Sequence, residues 1–295
     1  MRAQRGMALI TVLLIIALMT LLAVAGQRQW WQALTRTASQ QFQQQAQWTL
    51  RGAETWLINQ GGKPLDGRVQ QLRLDQQTVS YRWRDRQRCF NLNALGQNGR
   101  TDKDGVFHRS AAQRVFAHLL QQQGMDQQAI SILLAQLHQQ INAGDNKQWP
   151  LLADKTEIRH LSLLAEPRWS NLAPLLCALP SSELNINLNA LHADQASLLM
   201  ALLEGEKDRS QILSLLQKRP ERGWSTLDDF ISALPGGTAA AVSTLQSIAV
   251  LESQHWELLI WLADEQQFAA IRSQWIRHQD LFTLHHRQYG LSEAP

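Results

Sequence analysis

Nineteen consecutive residues, Met7 to Ala25, carry no charge. At a rise of about 1.5 Å per residue a helical run of this length extends roughly 28 Å, close to the roughly 30 Å hydrocarbon thickness of a bilayer. It can therefore span one. The helical pattern continues beyond it, because Trp31, Leu34, Ala38, Phe42, Ala46, Leu50, Ala53 and Leu57 recur every three or four residues, with Gln, Arg, Thr and Ser between them. The spacing predicts one rod of about 55 residues, roughly 80 Å long, stopped by Gly61 and Gly62 with Pro64 beyond. The glutamines between Gln40 and Gln47 form its solvated side, since Phe42 and Ala46 keep the apolar stripe through them. Whatever else this chain builds must be arranged around a rod whose first third is at home in lipid.

Arg2 and Arg5 precede the run, which leaves the N-terminus in the cytoplasm and sends the rest across, although Arg28 weakens the bias. The basic leader Met1 to Gly6 ends in glycine and is followed at once by Met7 and the apolar helix, the layout a prepilin-type processing enzyme requires. Two other readings fit the same residues. One is a plain signal anchor, and the other a cleaved signal peptide using Ala23, Val24 and Ala25. The run exceeds a usual signal-peptide core, and a cleaved peptide gives no reason for the amphipathic continuation after Gly26.

The chain has 295 residues, 44% hydrophobic and 18% charged, enough for one large or two small cores once the anchor is set aside. Its formal charge is +3, and loss of Arg2 and Arg5 with the leader leaves +1. That balance carries no argument for nucleic acid or anionic surfaces. Cys89 and Cys177 are the only cysteines. In an oxidising compartment they most simply form one disulfide, worth about 4 to 5 kcal/mol for a loop of this length on the chain-entropy model; in a reducing one they are two buried thiols.

After the rod, Val69, Leu72 and Leu74, then the alternation Val79, Tyr81, Trp83, predict an antiparallel hairpin turning at Asp75 to Gln77. Strand patterns return at Trp256 to Leu262, Phe268 to Ile276 and Leu281 to His286, with turns at Asp264, Glu265 and at Gln279, Asp280; the middle one also fits a helical stripe. Between them helical spacing dominates: Ala111 to Gln123, Asp126 to Asn142, Asp154 to Leu164, Asp194 to Leu203, Ser210 to Lys218 and Thr226 to Leu234, with Asp126, Asp194 and Thr226 as N-caps. The expected fold is α+β. Its parts are a leader at 1–6, a transmembrane helix at 7–25, its continuation at 26–60, a β domain at 61–95 and 251–288, an inserted α-helical domain at 96–250, and a tail at 289–295.

A five-residue word, Asn-Leu-Asn-Ala-Leu, occurs at Asn91 to Leu95 and again at Asn187 to Leu191, where asparagine side chains can hold tight turns. The helices after the second copy resemble a helix-hairpin-helix DNA-binding module. Its hairpin, however, reads Glu204, Gly205, Glu206, Lys207, Asp208, whose three carboxylates would repel a phosphate. No nucleic-acid partner is expected.

Taken in order, RGMALITVLL at the leader, CFNLNAL from Cys89, LADKTEIRHL from Leu152, LCALP from Leu176, INLNAL from Ile186 and RPERGWSTLDDF from Arg219 resemble the minor pseudopilin K (GspK) family of bacterial type II secretion systems. The resemblance implies a pilin-like fold and cleavage between Gly6 and Met7 by the prepilin peptidase, with methylation of Met7. It also implies a Cys89–Cys177 disulfide and a place starting or capping the tip of a periplasmic pseudopilus. Its partners would be the I and J minor pseudopilins and the major pseudopilin. It places the anchor in the inner membrane, the N-terminus in the cytoplasm and the globular part in the periplasm. Most pilin-like subunits carry glutamate at the fifth mature position; Thr11 stands there. A lone carboxylate in a membrane helix costs on the order of 2.5 to 3.5 kcal/mol unless a neighbour neutralises it, so a subunit with threonine can be first in the assembly.

Relatives with bound calcium have an acid-rich loop before the segment matching Leu152; here Ile141 to Pro150 holds only Asp145. Asp102 and Asp104 have an EF-like rhythm without a downstream glutamate. Calcium takes six to eight oxygen ligands, so Asp102, Asp104 and Asp145 are weak candidates and no cofactor is expected. The nine histidines are scattered, no serine sits in a G-x-S-x-G elbow, and the eleven tryptophans are read mainly as core, so no enzyme is expected. The competing class is a signal-anchored periplasmic enzyme or binding protein. For assembly the sequence points to the apolar helix face containing Leu34, Phe42 and Leu50, where a charge at Phe42 or Leu50 should abolish co-purification with sister subunits and leave the soluble part folded.

Overall fold

The computed structural model describes residues 4–290 other than 61–63, 65–66, 76, 106, 143–150, 235, 237, 264–266 and 280, with side chains described from residue 9 onward. Asp145 and the stops and turns expected at Gly61, Gly62, Gln76, Asp264, Glu265 and Asp280 lie outside the described residues.

The rod is a single helix, α1 (Gln4–Asn59). Its second half lies on a five-stranded antiparallel sheet formed by β1 (Val69–Leu74), β2 (Gln77–Asp85), β3 (His255–Ala263), β4 (Phe268–His278) and β5 (Leu281–Tyr289), in that spatial order. The segment that also fitted a helical stripe is thus strand β4, because Ala269 and Ile271 point at α1 while Ala270 and Arg272 point away. The inward set Val79, Trp83, Leu258, Ile260, Ile271 and Trp275 packs on Ala46, Leu50 and Ala53 of α1. Between β4 and β5 the register shifts from Gln274↔His286 to Trp275↔Leu284, which leaves His285 as the extra residue of a bulge.

Between β2 and β3 the chain makes a second hydrophobic core from helices. These are α2 (Ala111–Gln122), α3 (Gln127–Asn142), α4 (Arg168–Leu172), α5 (Ala196–Leu202), α6 (Arg209–Gln217), α7 (Leu227–Ala233) and α8 (Ala239–Ile248). The expected helix from Asp154 to Leu164 is instead two short 3₁₀ turns, Lys155–Ile158 and Ser162–Leu164. Its apolar residues Ile158, Leu161 and Leu164 recur every third position, the period of a 3₁₀ and not an α-helix. Thr226 caps α7 and Asp126 bonds Ala129 N–H at 2.8 Å, as their residue types predict. Asp194 is not a cap; it sits inside a 3₁₀ turn, and the Gln195 side chain accepts from His192 N–H instead. α4 and α8 are not among the expected helices; α4 has only five residues, whereas α8 carries Ala241, Leu245 and Ile248 at helical spacing behind a Thr238 cap.

The repeated word is a repeated structure. Phe90–Asn91 pairs in parallel with Leu176–Cys177, and Ile186–Asn187 with Ala249–Val250. Each copy then enters a 3₁₀ turn in which the first asparagine accepts from the N–H two residues on, Asn93 or Asn189. The second asparagine of each word holds a distant loop. Asn93 accepts from Leu152 N–H and donates to the carbonyls of Leu152 and Leu179; Asn189 accepts from Trp224 N–H and donates to those of Trp224 and Leu251. Two residues after Leu152 and Trp224 come matching capping boxes, Asp154 with Glu157 and Thr226 with Asp229. The helical insertion is therefore two copies of one supersecondary plan.

Cys89 and Cys177 are joined by a disulfide that closes a loop of 88 residues across the first copy. Where the insertion meets the sheet, the buried Asp85 carboxylate accepts from Gln87 N–H, Asn187 Nδ2 and Ser253 Oγ. That cluster ties the end of β2, the start of the second copy and the approach to β3 into one junction.

Candidate functional site

α1 is long and apolar enough over its N-terminal part to cross a membrane, and that window makes no burying contact with the rest of the fold. The backbone of Gly6 and Met7 lies in its first turns, and Thr11 is on its exposed surface.

Beyond the apolar window the helix has two different faces. At about 100° per residue, Phe42, Ala46, Leu50, Ala53 and Leu57 fall within roughly 80° of one another. This face is taken up by the sheet: Leu50 is 1% exposed, Ala46 and Ala53 are equally buried, and Phe42 and Leu57 pack against the same cluster. The assignment of Phe42 and Leu50 to contacts with sister helices is therefore corrected. An amphipathic stripe reports that something covers it, and here strands from the same chain do so. Leu34, 45% exposed, lies ahead of the sheet and is free of it.

Glu54 also lies on the covered side. It is buried, and its carboxylate takes both Nε (3.3 Å) and Nη2 (2.5 Å) of Arg287 from β5. Glu54 falls four residues after Leu50 and three before Leu57, so a carboxylate on an apolar stripe was the available signal that a cation must meet it. Gln43 Nε2 donates to Phe268 O at 3.0 Å and Thr49 Oγ1 to Gln77 Oε1 at 2.8 Å, which fixes the rotation of the helix on the sheet.

Roughly 120° around the rod a second line runs through Trp30, Leu34, Trp48, Gly52 and Trp56. Trp48 is 74% exposed and Trp56 42%, while an added Cβ at Gly52 would meet nothing within 4 Å. The expectation that tryptophans serve as core holds for Trp83, Trp169, Trp224, Trp256 and Trp275 and fails for these on α1. Two indole rings flanking a glycine one helical turn from each leave a notch into which another backbone can approach closely.

The hairpin that resembles a phosphate site is occupied by its own neighbours. Glu204 accepts from Arg114 Nε (3.0 Å) and Thr244 Oγ1 (2.7 Å). Glu206 bonds Thr238 N–H and hydroxyl at the start of α8, which holds its carboxyl below the usual range, and Asp208 caps α6. These carboxylates close helix ends within the insertion. Asp102 pairs with His108 at 2.9 Å and accepts from Asp104 N–H. Among the described residues no three His, Cys, Asp or Glu side chains gather as a metal group.

A helix with an uncovered apolar end, continuous with a segment clamped on a small antiparallel sheet, is the architecture of a pilin-type subunit. The sequence profile described as "Type II secretion system (T2SS), protein K" matches residues 186–250, the whole second copy from one end of its parallel pairing to the other. Type II secretion system protein K of Klebsiella pneumoniae is 30% identical over 78% of this chain and 79% of its own length; that of Pectobacterium carotovorum is 28% identical over 76% and 78%. The crystal structure of the GspK-GspI-GspJ complex from the enterotoxigenic Escherichia coli Type 2 Secretion System matches with a TM-score of 0.69 and 25% identity, over 87% of this chain and all of that one. The chain belongs to the type II secretion system protein K family, a structural component of that system, and is a minor pseudopilin.

Proposed function

We propose that this minor pseudopilin is anchored in the inner membrane by residues 7–25 after cleavage between Gly6 and Met7, with its folded part in the periplasm. There it starts or caps the pseudopilus tip without catalysing a reaction or holding a cofactor. The observation that carries the reading is the division of α1: one face is sealed by the chain's own sheet and the other presents Trp30, Leu34, Trp48, Gly52 and Trp56. A related protein was crystallised with GspI and GspJ, and helices of such sister subunits, anchored in the same bilayer and running alongside, fit the open line. Thr11 supports a first or terminal position, since it needs no neighbour's ammonium to neutralise it.

Replacing Trp48 and Trp56 by alanine should abolish co-purification with the I and J subunits from detergent-solubilised membranes while the melting curve of the chain is unchanged. Undiminished co-purification would sink the assignment of this face.

A further inference from the structure

The sheet surface turned away from α1 carries charge that the assembly reading does not use. Strand register places Arg82, Leu259, Arg272 and Gln288 in one row across β2 to β5, and Arg84, Glu257, Gln274 and His286 in the next. Their strand neighbours Trp83, Leu258 and Ile271 pack toward α1, so both rows face outward. Residues 151–154 and 178–180 of the helical insertion rise beside these rows and enclose a groove of about 850 Å³. Arg86 sits in its wall, its Nη2 donating to Ala178 O at 3.2 Å.

In the lining Arg86 and Arg272 face Glu257 and Asp154, and Arg82 and Arg84 in the outward rows beside the groove tip this surface to a net positive charge. Glu257 lies 3.6 Å from Arg84, and the Asp154 carboxylate is engaged by Thr156 N–H (2.9 Å) and hydroxyl (2.6 Å). Arg272 Nε is buried without a hydrogen-bond partner. The histidines at this end of the sheet are held neutral chiefly by burial. Burial, Arg86 and the neighbouring His285 and His278 push His255 down to about 4, and burial together with His286 and Arg86 holds His285 below its usual value. Leu151, Leu179, Pro180 and Ile276 supply an apolar flank to the polar floor around Arg272. The volume is that of a ligand site. A polyphosphate would crowd its charge against Glu257 and Asp154, whereas single carboxylates spaced along a chain can be set at the guanidinium groups and away from those two acids, with aliphatic neighbours on the apolar flank.

We infer that this groove binds an acidic polypeptide segment, Asp or Glu interleaved with aliphatic residues, belonging to a protein outside the bundle of pseudopilin helices. The second clause rests on the proposed assembly face: sisters packed along Trp48 and Trp56 meet the molecule on the side of α1, and the groove lies on the opposite face of the sheet. Arg272 is the central recognition residue, with His286 beside it.

The test uses the full chain in detergent and a fluorescein-labelled, N-acetylated hexapeptide alternating Glu and Leu, read by anisotropy against its Gln-for-Glu twin. The acidic peptide should bind, weaken steeply with added salt, and bind more than tenfold more weakly to Arg272→Gln; the twin should not bind. His286→Gln, which leaves the guanidinium in place, should weaken binding by a smaller factor, and both variants should keep the wild-type melting curve and co-purify with sister subunits. Equal binding of both peptides, no binding of either, an unaltered affinity in Arg272→Gln, or displacement by free glutamate at the peptide's own concentration would overturn the inference. Loss of co-purification in Trp48→Ala/Trp56→Ala is read separately, so failure of the groove and failure of the assembly face are distinguishable.

Discussion

Leu50 and Trp48 sit two residues apart on one helix, one under the sheet and the other in solvent, so the pair can be played against each other. Leu50 is 1% exposed between α1 and the sheet, with Ala46, Ala53, Val79 and Ile260 in the same cluster. Leu50→Ala removes a fully buried side chain from a packed contact, and buried Leu→Ala changes cost about 3 to 5 kcal/mol. For a chain of this size each kcal/mol moves the midpoint by about 2 to 4 °C, so near-UV circular dichroism should report a fall of roughly 10 °C. At 20 °C the variant remains folded and should co-purify with sister subunits at the wild-type level. Trp48, at 74% exposure, contributes little to the fold, and Trp48→Ala should shift stability by no more than about 0.5 kcal/mol. As an interface anchor it should cost at least about 2 kcal/mol of association, on the order of thirtyfold in Kd. The reverse pattern, a stable Leu50→Ala that no longer co-purifies and a Trp48→Ala that does, would refute the division of faces.

Other outcomes follow from the same structure. Asn93→Ala and Asn189→Ala each remove an inward side chain that serves three loop hydrogen bonds; each should cost about 2 to 4 kcal/mol by urea unfolding, and a neutral result for both would show that the repeated asparagines are not the hubs described. Glu54→Ala removes the carboxylate that meets the half-buried Arg287 guanidinium and should cost about 1 to 3 kcal/mol, with Glu54→Ala/Arg287→Met recovering most of it. His255, held down to about 4, is neutral in the fold and binds a proton more readily when unfolded. Its contribution is therefore fully present above about pH 6.5 and is lost as pH falls toward 4, up to about 3 kcal/mol. His255→Gln should flatten that part of the urea-midpoint profile, and an unchanged slope would count against the assignment. Reducing the Cys89–Cys177 bond should lower stability by about 4 kcal/mol on the chain-entropy model, measured as a drop in urea midpoint with dithiothreitol.

Much of this architecture was legible because its signals are periodic. The rod, the hairpin alternation Val79, Tyr81, Trp83 and the caps at Asp126 and Thr226 need only local chemistry. The word Asn-Leu-Asn-Ala-Leu announced a repeat, but not that Asn93 and Asn189 reach loops 59 and 35 residues away; such partners exist only after folding. The cover on α1 is illegible for the same reason: the stripe through Phe42 and Leu50 is visible in one dimension, whereas the strands that cover it include residues more than 200 positions later. The open line through Trp48, Gly52 and Trp56 has no separate signal in the sequence, because tryptophan serves both cores and contact surfaces. The groove is invisible in the sequence, since Glu257, Arg272 and His286 become neighbours only through strand register. Ile158, Leu161 and Leu164 show the converse, a period of three that is present in the sequence and fits 3₁₀ turns better than an α-helix.

The central claim is that the anchor is matured as a pilin and retained. Mass spectrometry of the N-terminal peptide from protein purified out of its native membrane tests it most directly. The account predicts a chain beginning at N-methylated Met7; a chain beginning at Gly26, or one retaining Met1, would contradict it.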